Sequence, residues 1–243
     1  AGGFNGLTRE PGSRICLYQS ILADGYEGAR IVFPQLFEEL PVDGERILAI
    51  VNNDILIVTG SNDLEGLTLC LEAFEKAAQM PHPLPPLLLV MREGRVADYM
   101  PPAESPMHEP YMRLRYLYLN YIYNMQKEIL IQDEGDDYFL ASYVCYQSPA
   151  KELKSGKEQE QASKSNESSI FSATTWSEGV PSSLPVTDQI GFMKKNGENL
   201  ETVGMLPLDT VRKVVGHLLV TTQDFPPRFK TEGFPNAKEL ALL

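Results

Sequence analysis

The sequence predicts an α+β protein of two lobes, and three observations carry that prediction. Residues 24–101 alternate between segments with helical and hairpin patterns, in the order helix, hairpin, helix, hairpin. Residues 110–130 carry a continuous apolar stripe at helical spacing, set off by a linker at 102–109. Beyond residue 136 short β-rich runs dominate, which makes 110–243 a second α+β lobe. The first lobe is expected to form one mixed sheet with helices packed on it.

Residues 1–23 form an exposed N-terminal arm, rich in Gly and turn formers and leading into the apolar run Ile15 to Ile21, read as a short strand or helical turn. Asp24 to Gly28 is a turn. Phe33, Leu36, Phe37 and Leu40 follow i, i+3, i+4, i+7 spacing and predict a helix. Pro34 suits its first turn, where a missing N–H has no partner to lose, and Pro41 stops it. Glu45–Val51 and Asp54–Thr59 are β-rich runs joined by Asn52-Asn53, which tolerate the positive φ of a primed two-residue turn. Both runs are apolar on both faces, so they belong in the middle of a sheet that is covered on each side.

Asn62 and Glu65 then stand at capping-box spacing, and Leu64, Leu67, Leu71, Phe74 and Ala78 make one stripe of a second helix. Glu72 and Lys76 can pair on its opposite side. Pro81 to Pro86 ends it, and a second hairpin follows, Leu87–Met91 with Arg95–Met100, turning at Glu93-Gly94. The order suggests two similar α-β-β units.

After the linker, Pro110 suits a first helical position. Leu114, Leu117, Tyr118, Tyr121, Met125 and Ile129 form the stripe read as the buried side of a helix roughly 30 Å long at about 1.5 Å per residue. Arg113, Asn120, Asn124 and Lys127 on its other side rule out a membrane helix. Tyr111, Tyr116 and Tyr123 fall off the stripe; they either pack on a neighbouring element or make an aromatic contact surface. Asp136–Gln147 reads as a strand. Residues 150–169 hold four lysines and four glutamates among Ser and Gln, the composition of a disordered insertion. Ile170–Trp176 resumes a strand, and Thr187–Lys194 with Asn199–Met205 form a hairpin around Asn196-Gly197. Leu208–Leu219 is a short helix with Val211, Val214, Val215 and Leu218 inward. Asp224–Pro235 is too proline-rich for a regular element and is expected to strap the core.

The string Asp24-Gly25-Tyr26-Glu27-Gly28-Ala29-Arg30-Ile31-Val32 resembles the DGYDxSRIL segment of the YtpQ-like family of uncharacterised bacterial proteins. The likeness continues through the apolar hairpin Gly44–Thr59 and through Leu87–Met100 with its Arg92-Glu93-Gly94-Arg95 turn, and so covers residues 24–101. The resemblance implies a bacterial, cytoplasmic α+β module and brings no functional residues with it. This chain carries a short segment before the match, where the family has a substantial N-terminal region, and a long extension after it.

Acidic residues outnumber basic ones 33 to 21, for a formal charge of −12. Such a chain repels phosphate backbones and anionic lipid headgroups unless its cations are concentrated, and the one cluster, Arg113 with Arg115, is small. Neither a nucleic acid nor a membrane is expected as a partner. No apolar run approaches the roughly 18 residues of a bilayer span. The chain begins Ala1-Gly2-Gly3, as a trimmed or processed product would, so a native targeting segment could lie outside it. The three cysteines, Cys16, Cys70 and Cys145, are odd in number and form no CxxC, which suits structural thiols in a reducing compartment.

Catalytic signals are scarce. His82 and His108 lie in proline-rich segments, His217 lies on the short C-terminal helix, and none forms an HxxH or HExxH spacing. Asp133-Glu134-Gly135-Asp136-Asp137 lacks the alternating ligands and closing Glu of a calcium loop and reads as a solvated turn. Neither a GxSxG, a P-loop nor a GxGxxG is present, and Asn166-Glu167-Ser168 is an acceptor sequon only in a secreted chain. No catalytic residue, cofactor or metal is assigned.

The leading expectation is a non-catalytic binding or scaffold protein with a protein partner. Its candidate contact residues are Tyr116, Tyr123, Trp176, Phe225, Arg228, Phe229 and Phe234, the aromatic and arginine types that dominate binding hot spots. The same types are ordinary core and strap residues. The alternatives are a hydrolase-type enzyme with a site where the lobes meet, and an acidic immunity protein.

Overall fold

The computed structural model describes residues 4–7, 17–22, 24–80, 83–133, 138–147, 170–197 and 199–243. The expected insertion at 150–169, the acidic run at 134–137, His82 and Cys16 lie outside them. The fold is α+β, with strands in sheets and helices packed against them. The chain divides into two compact units, Ala1–Tyr118 and Leu119–Leu243.

The first unit is built on a six-stranded sheet. Its strands are β1 (Phe4–Leu7), β2 (Leu17–Ser20), β3 (Arg46–Asn52), β4 (Ile55–Gly60), β5 (Leu88–Arg92) and β6 (Arg95–Asp98), in the order β1-β2-β4-β3-β5-β6. Every pairing is antiparallel, which corrects the expected mixed sheet. Two tight hairpins supply β3–β4 and β5–β6, and the return from β4 to β5 through a helix sets β5 beside β3 in the opposite sense. The described parts of the N-terminal arm pair as β1 and β2, and β2 lies in the apolar run expected to form a short strand or helical turn.

Helix α1 (Leu64–Ala77) covers one face of this sheet. Its N-cap is Asp63, not Asn62: the Asp63 carboxylate accepts from Gly66 N at 2.9 Å and from the Thr59 hydroxyl at 3.0 Å. Leu67, Cys70, Leu71, Phe74 and Ala77 turn inward onto Ile47, Ala49, Val90 and Tyr99. The other face packs Leu48, Leu56 and Val58 against Phe37 and Tyr18, so the double-sided apolar pattern of β3 and β4 is used on both sides. The predicted helix around Phe33–Leu40 is two short 3-10 turns, Gly28–Val32 and Pro34–Leu36. Pro34 is the cause. The residue before a proline is pushed out of the α region, and Phe33 sits at ψ 73°.

The second unit holds two sheets. One contains β7 (Phe139–Leu140), β10 (Ser182–Pro185), β13 (Leu219–Thr221) and β14 (Arg228–Thr231) in the order β13-β14-β10-β7. The other contains β8 (Val144–Gln147), β9 (Ile170–Ser177), β11 (Gln189–Asn196) and β12 (Asn199–Pro207) in the order β12-β11-β9-β8. Helix α3 (Leu208–Val215) packs Val211 and Val215 onto Trp176, Leu184, Ile190, Phe192 and Phe229. A one-turn helix, α4 (Ala237–Leu240), closes the chain with a capping box between Asn236 and Glu239. The proline-rich segment 224–235 is not wholly irregular. Within it, β14 lies between β10 and β13, with Arg228, Phe229 and Thr231 buried.

One long helix, α2 (His108–Asp133), runs through the division between the units. No helix among the described residues is long and apolar enough to cross a membrane.

Candidate functional site

Helix α2 presents a different face from the one its apolar spacing predicts. Leu117, Tyr121, Met125 and Ile129 are 50%, 43%, 42% and 59% exposed, although they belong to the stripe read as core. Tyr111, Tyr116, Tyr123 and Gln126 are buried instead.

The reason is hydrogen bonding. In the first unit, the Tyr111 hydroxyl accepts from Leu88 N at 2.9 Å, where β5 begins. In the second, the Tyr123 hydroxyl donates to Pro227 O at 2.7 Å and accepts from Val186 N at 3.0 Å. Its ring stacks on Tyr143 with centroids 5.0 Å apart. Gln126 donates from Nε2 to Pro226 O at 2.7 Å. The bonds at Leu88 N and Pro226 O satisfy backbone groups that would otherwise be buried without partners, at a cost of about 1–3 kcal/mol each. Rolling the helix to bury Leu117 and Met125 would break all of them.

Leu117, Tyr121, Met125 and Ile129 lie four residues apart in succession, so they form a ridge of the i±4n kind that packs into the groove of another helix. Exposed Arg113, Asn124 and Glu128 flank it. A contiguous apolar strip with a polar border has the anatomy of a contact surface.

Of the seven contact residues expected from the sequence, the fold sends most inward. Trp176 and Arg228 are fully buried, Tyr123 and Phe229 are 3% exposed, and Tyr116 is 7% exposed. Phe234 is partly buried against Trp176 and Phe192. Phe225 alone of the seven is strongly exposed, at 78%. Arg228 is a structural cross-link. It donates from Nε to Ser183 Oγ at 3.0 Å, from Nη1 to Gln126 Oε1 at 3.2 Å, and from Nη2 to Ala141 O and Ser183 O at 2.6 and 2.8 Å. Its guanidinium also lies over the Tyr123 ring, 5.6 Å from the centroid.

The signal that sequence reasoning missed was present. Tyr116, Leu119, Tyr123, Gln126 and Leu130 recur at alternating three- and four-residue steps, a complete second stripe. Three polar-tipped members concealed it.

In the first unit, a depression of about 700 Å³ opens between the β4–α1 connection and the segment after β6. Its lining includes the apolar Leu64, Met100, Pro102 and Pro106 and the polar Glu45, Asn62, Arg92 and Asp98. Arg92 donates to both oxygens of Glu45, at 2.5 and 2.8 Å, and this pairing holds the Glu45 carboxyl below the usual range. Tyr99 also lines the depression, and burial raises its hydroxyl above the ordinary tyrosine value, so it remains protonated.

Among the described residues no group of three His, Cys, Asp or Glu side chains stands close enough to hold a metal ion. The Cys70 thiol is pushed up to about 12 by burial first and by Asp63 second, which makes it a core side chain and a poor nucleophile. Burial raises Cys145 as well.

No protein-family model, curated protein or solved structure matches the chain.

Proposed function

We propose that this chain is a non-catalytic protein-binding module that offers the exposed ridge of α2 to a helix of a partner protein. The observation that carries the reading is the locked orientation of that helix: hydrogen bonds through Tyr111, Tyr123 and Gln126 hold one face inward and leave Leu117, Tyr121, Met125 and Ile129 outward. Four large apolar side chains, each about half exposed, would gain roughly 1 kcal/mol apiece on being covered. The i±4n spacing favours a helical occupant, because such a ridge fits between the rows of a facing helix. A bacterial, cytoplasmic setting is part of the proposal. It is supported by the resemblance of residues 24–32 to the YtpQ-like family and by the free thiol of Cys70.

A photoreactive residue placed at Met125 is expected to cross-link to another protein in the source cell, whereas one at exposed Glu75 on α1 does not. Adding Tyr121→Asp should abolish the adduct while leaving folding stability within about 0.5 kcal/mol, as for other surface changes. Equal cross-linking from both positions, or none from Met125, would contradict the reading. An adduct to a second copy of this chain would identify the partner as itself.

A further inference from the structure

The depression in the first unit is lined by more negative than positive charge: Glu45 and Asp98 stand against a single cation, Arg92, whose Nε and Nη2 are already spent on Glu45. Acceptor capacity remains on the oxygens of exposed Asp98, on the other lone pairs of Glu45 and on the amide oxygen of Asn62.

Tyr99 adds a separate observation. The residue is 8% exposed, with its ring in the core beneath α1 and its N–H bonded to Leu88 O at 2.8 Å. Its hydroxyl has no hydrogen-bond partner among the described residues, and the residue lines the depression. A phenol held in that way takes its partner from whatever occupies the space. Leu64 and Met100, which also line the depression, are 47% and 40% exposed and add apolar surface to the polar groups. The occupant that meets both is a hydrogen-bond donor with positive charge at one end and hydrocarbon behind it.

We propose that this depression binds an ammonium or guanidinium group carried on an apolar stem. Asp98, Glu45 and the Tyr99 hydroxyl receive the charged end, and Leu64 and Met100 lie along the stem. The inference is independent of the α2 reading, since the two have no residue in common. The charged group has two sources, a free alkyl amine or a basic side chain of a protein.

The test is a nuclear magnetic resonance titration of the full chain with agmatine, and in parallel with N-acetyl-lysine methylamide as a mimic of the protein side chain. Saturable shifts centred on Asn62, Asp98 and Tyr99 are expected. Asp98→Asn should weaken binding at least fivefold and Tyr99→Phe at least twofold, while Glu75→Gln on α1 changes nothing. Tighter binding of the lysine derivative assigns the site to a protein side chain, and tighter binding of agmatine assigns it to a free amine. Shifts that spread over the acidic surface without saturating would overturn the proposal. So would equal binding of ethylammonium, which lacks the stem, or an unchanged affinity in Asp98→Asn.

Discussion

Replacing Arg228 with methionine is expected to destabilise the second unit by about 3–5 kcal/mol, because several buried acceptors each lose a donor at a cost of about 1–3 kcal/mol. Methionine fills much of the volume but donates nothing. Gln126 Oε1, Ser183 Oγ and the carbonyls of Ala141 and Ser183 would each lose a donor inside the protein. Those acceptors come from α2, β10 and the residue after β7, so one side chain connects three elements to β14. Lysine should fail almost as badly, because a single ammonium cannot aim planar donors in the several directions that the guanidinium serves. The chain has one tryptophan, Trp176, which lies in the core of the same unit, so its fluorescence during urea unfolding reads the effect directly. A loss below about 1 kcal/mol would mean that the network is dispensable.

Trp176→Ala is expected to cost a similar amount, about 3–5 kcal/mol, by a different route. The indole is fully buried, with ring centroids 5.6 Å from Phe192 and 6.0 Å from Phe234. Its N–H donates to Gly233 O at 3.2 Å, which holds the chain beyond β14 against the core. Truncation leaves a cavity that neither phenylalanine can fill from its present position. Far-UV circular dichroism must follow this variant, since the fluorophore is gone. Phe225→Ala provides the contrast: at 78% exposure it should change stability by no more than about 0.5 kcal/mol. If the two alanine variants melted together, the placement of Trp176 would be wrong.

How far the fold could be read from the residues depended on whether local chemistry or distant partners decided each element. The β5–β6 hairpin turns at Glu93-Gly94, where the sequence places it, with φ of 51° and 70° in the primed range. Gly197, at φ 63°, plays the corresponding role between β11 and β12. Helix α1 was legible through the local stripe Leu67, Leu71 and Phe74, although its cap is Asp63 in place of Asn62 and the stripe's end members Leu64 and Ala78 are exposed. By contrast, the turn after β3 lacks the expected positive φ at Asn52 and Asn53, and the register slips between Ile50 and Asn52.

The larger misreadings share one cause. In α2, apolarity pointed one way and the hydrogen bonds of Tyr111, Tyr123 and Gln126 pointed the other, and their partners lie on β5 and in the Pro226-Pro227 segment. Nothing within a window of twenty residues reveals those partners. Strand β14 was obscured in the same way: prolines flank it on both sides, and only its neighbours β10 and β13 make it a strand. The contact residues followed, since Trp176, Arg228 and Phe229 have hot-spot chemistry and are spent on cohesion. The exposed ridge of α2 was concealed because its residues looked like core.

Hydroxyl-radical footprinting of the purified chain beside the same chain in its source extract tests the central claim most directly. In the purified chain Tyr121 and Met125 should label rapidly, while Tyr111 and Tyr123 remain dark. In the extract Tyr121 and Met125 should become protected, while exposed Phe225 labels as before. Rapid labelling of Tyr123 in the purified chain would show that the helix faces the other way. Undiminished labelling of Met125 in the extract would show that nothing docks on the ridge.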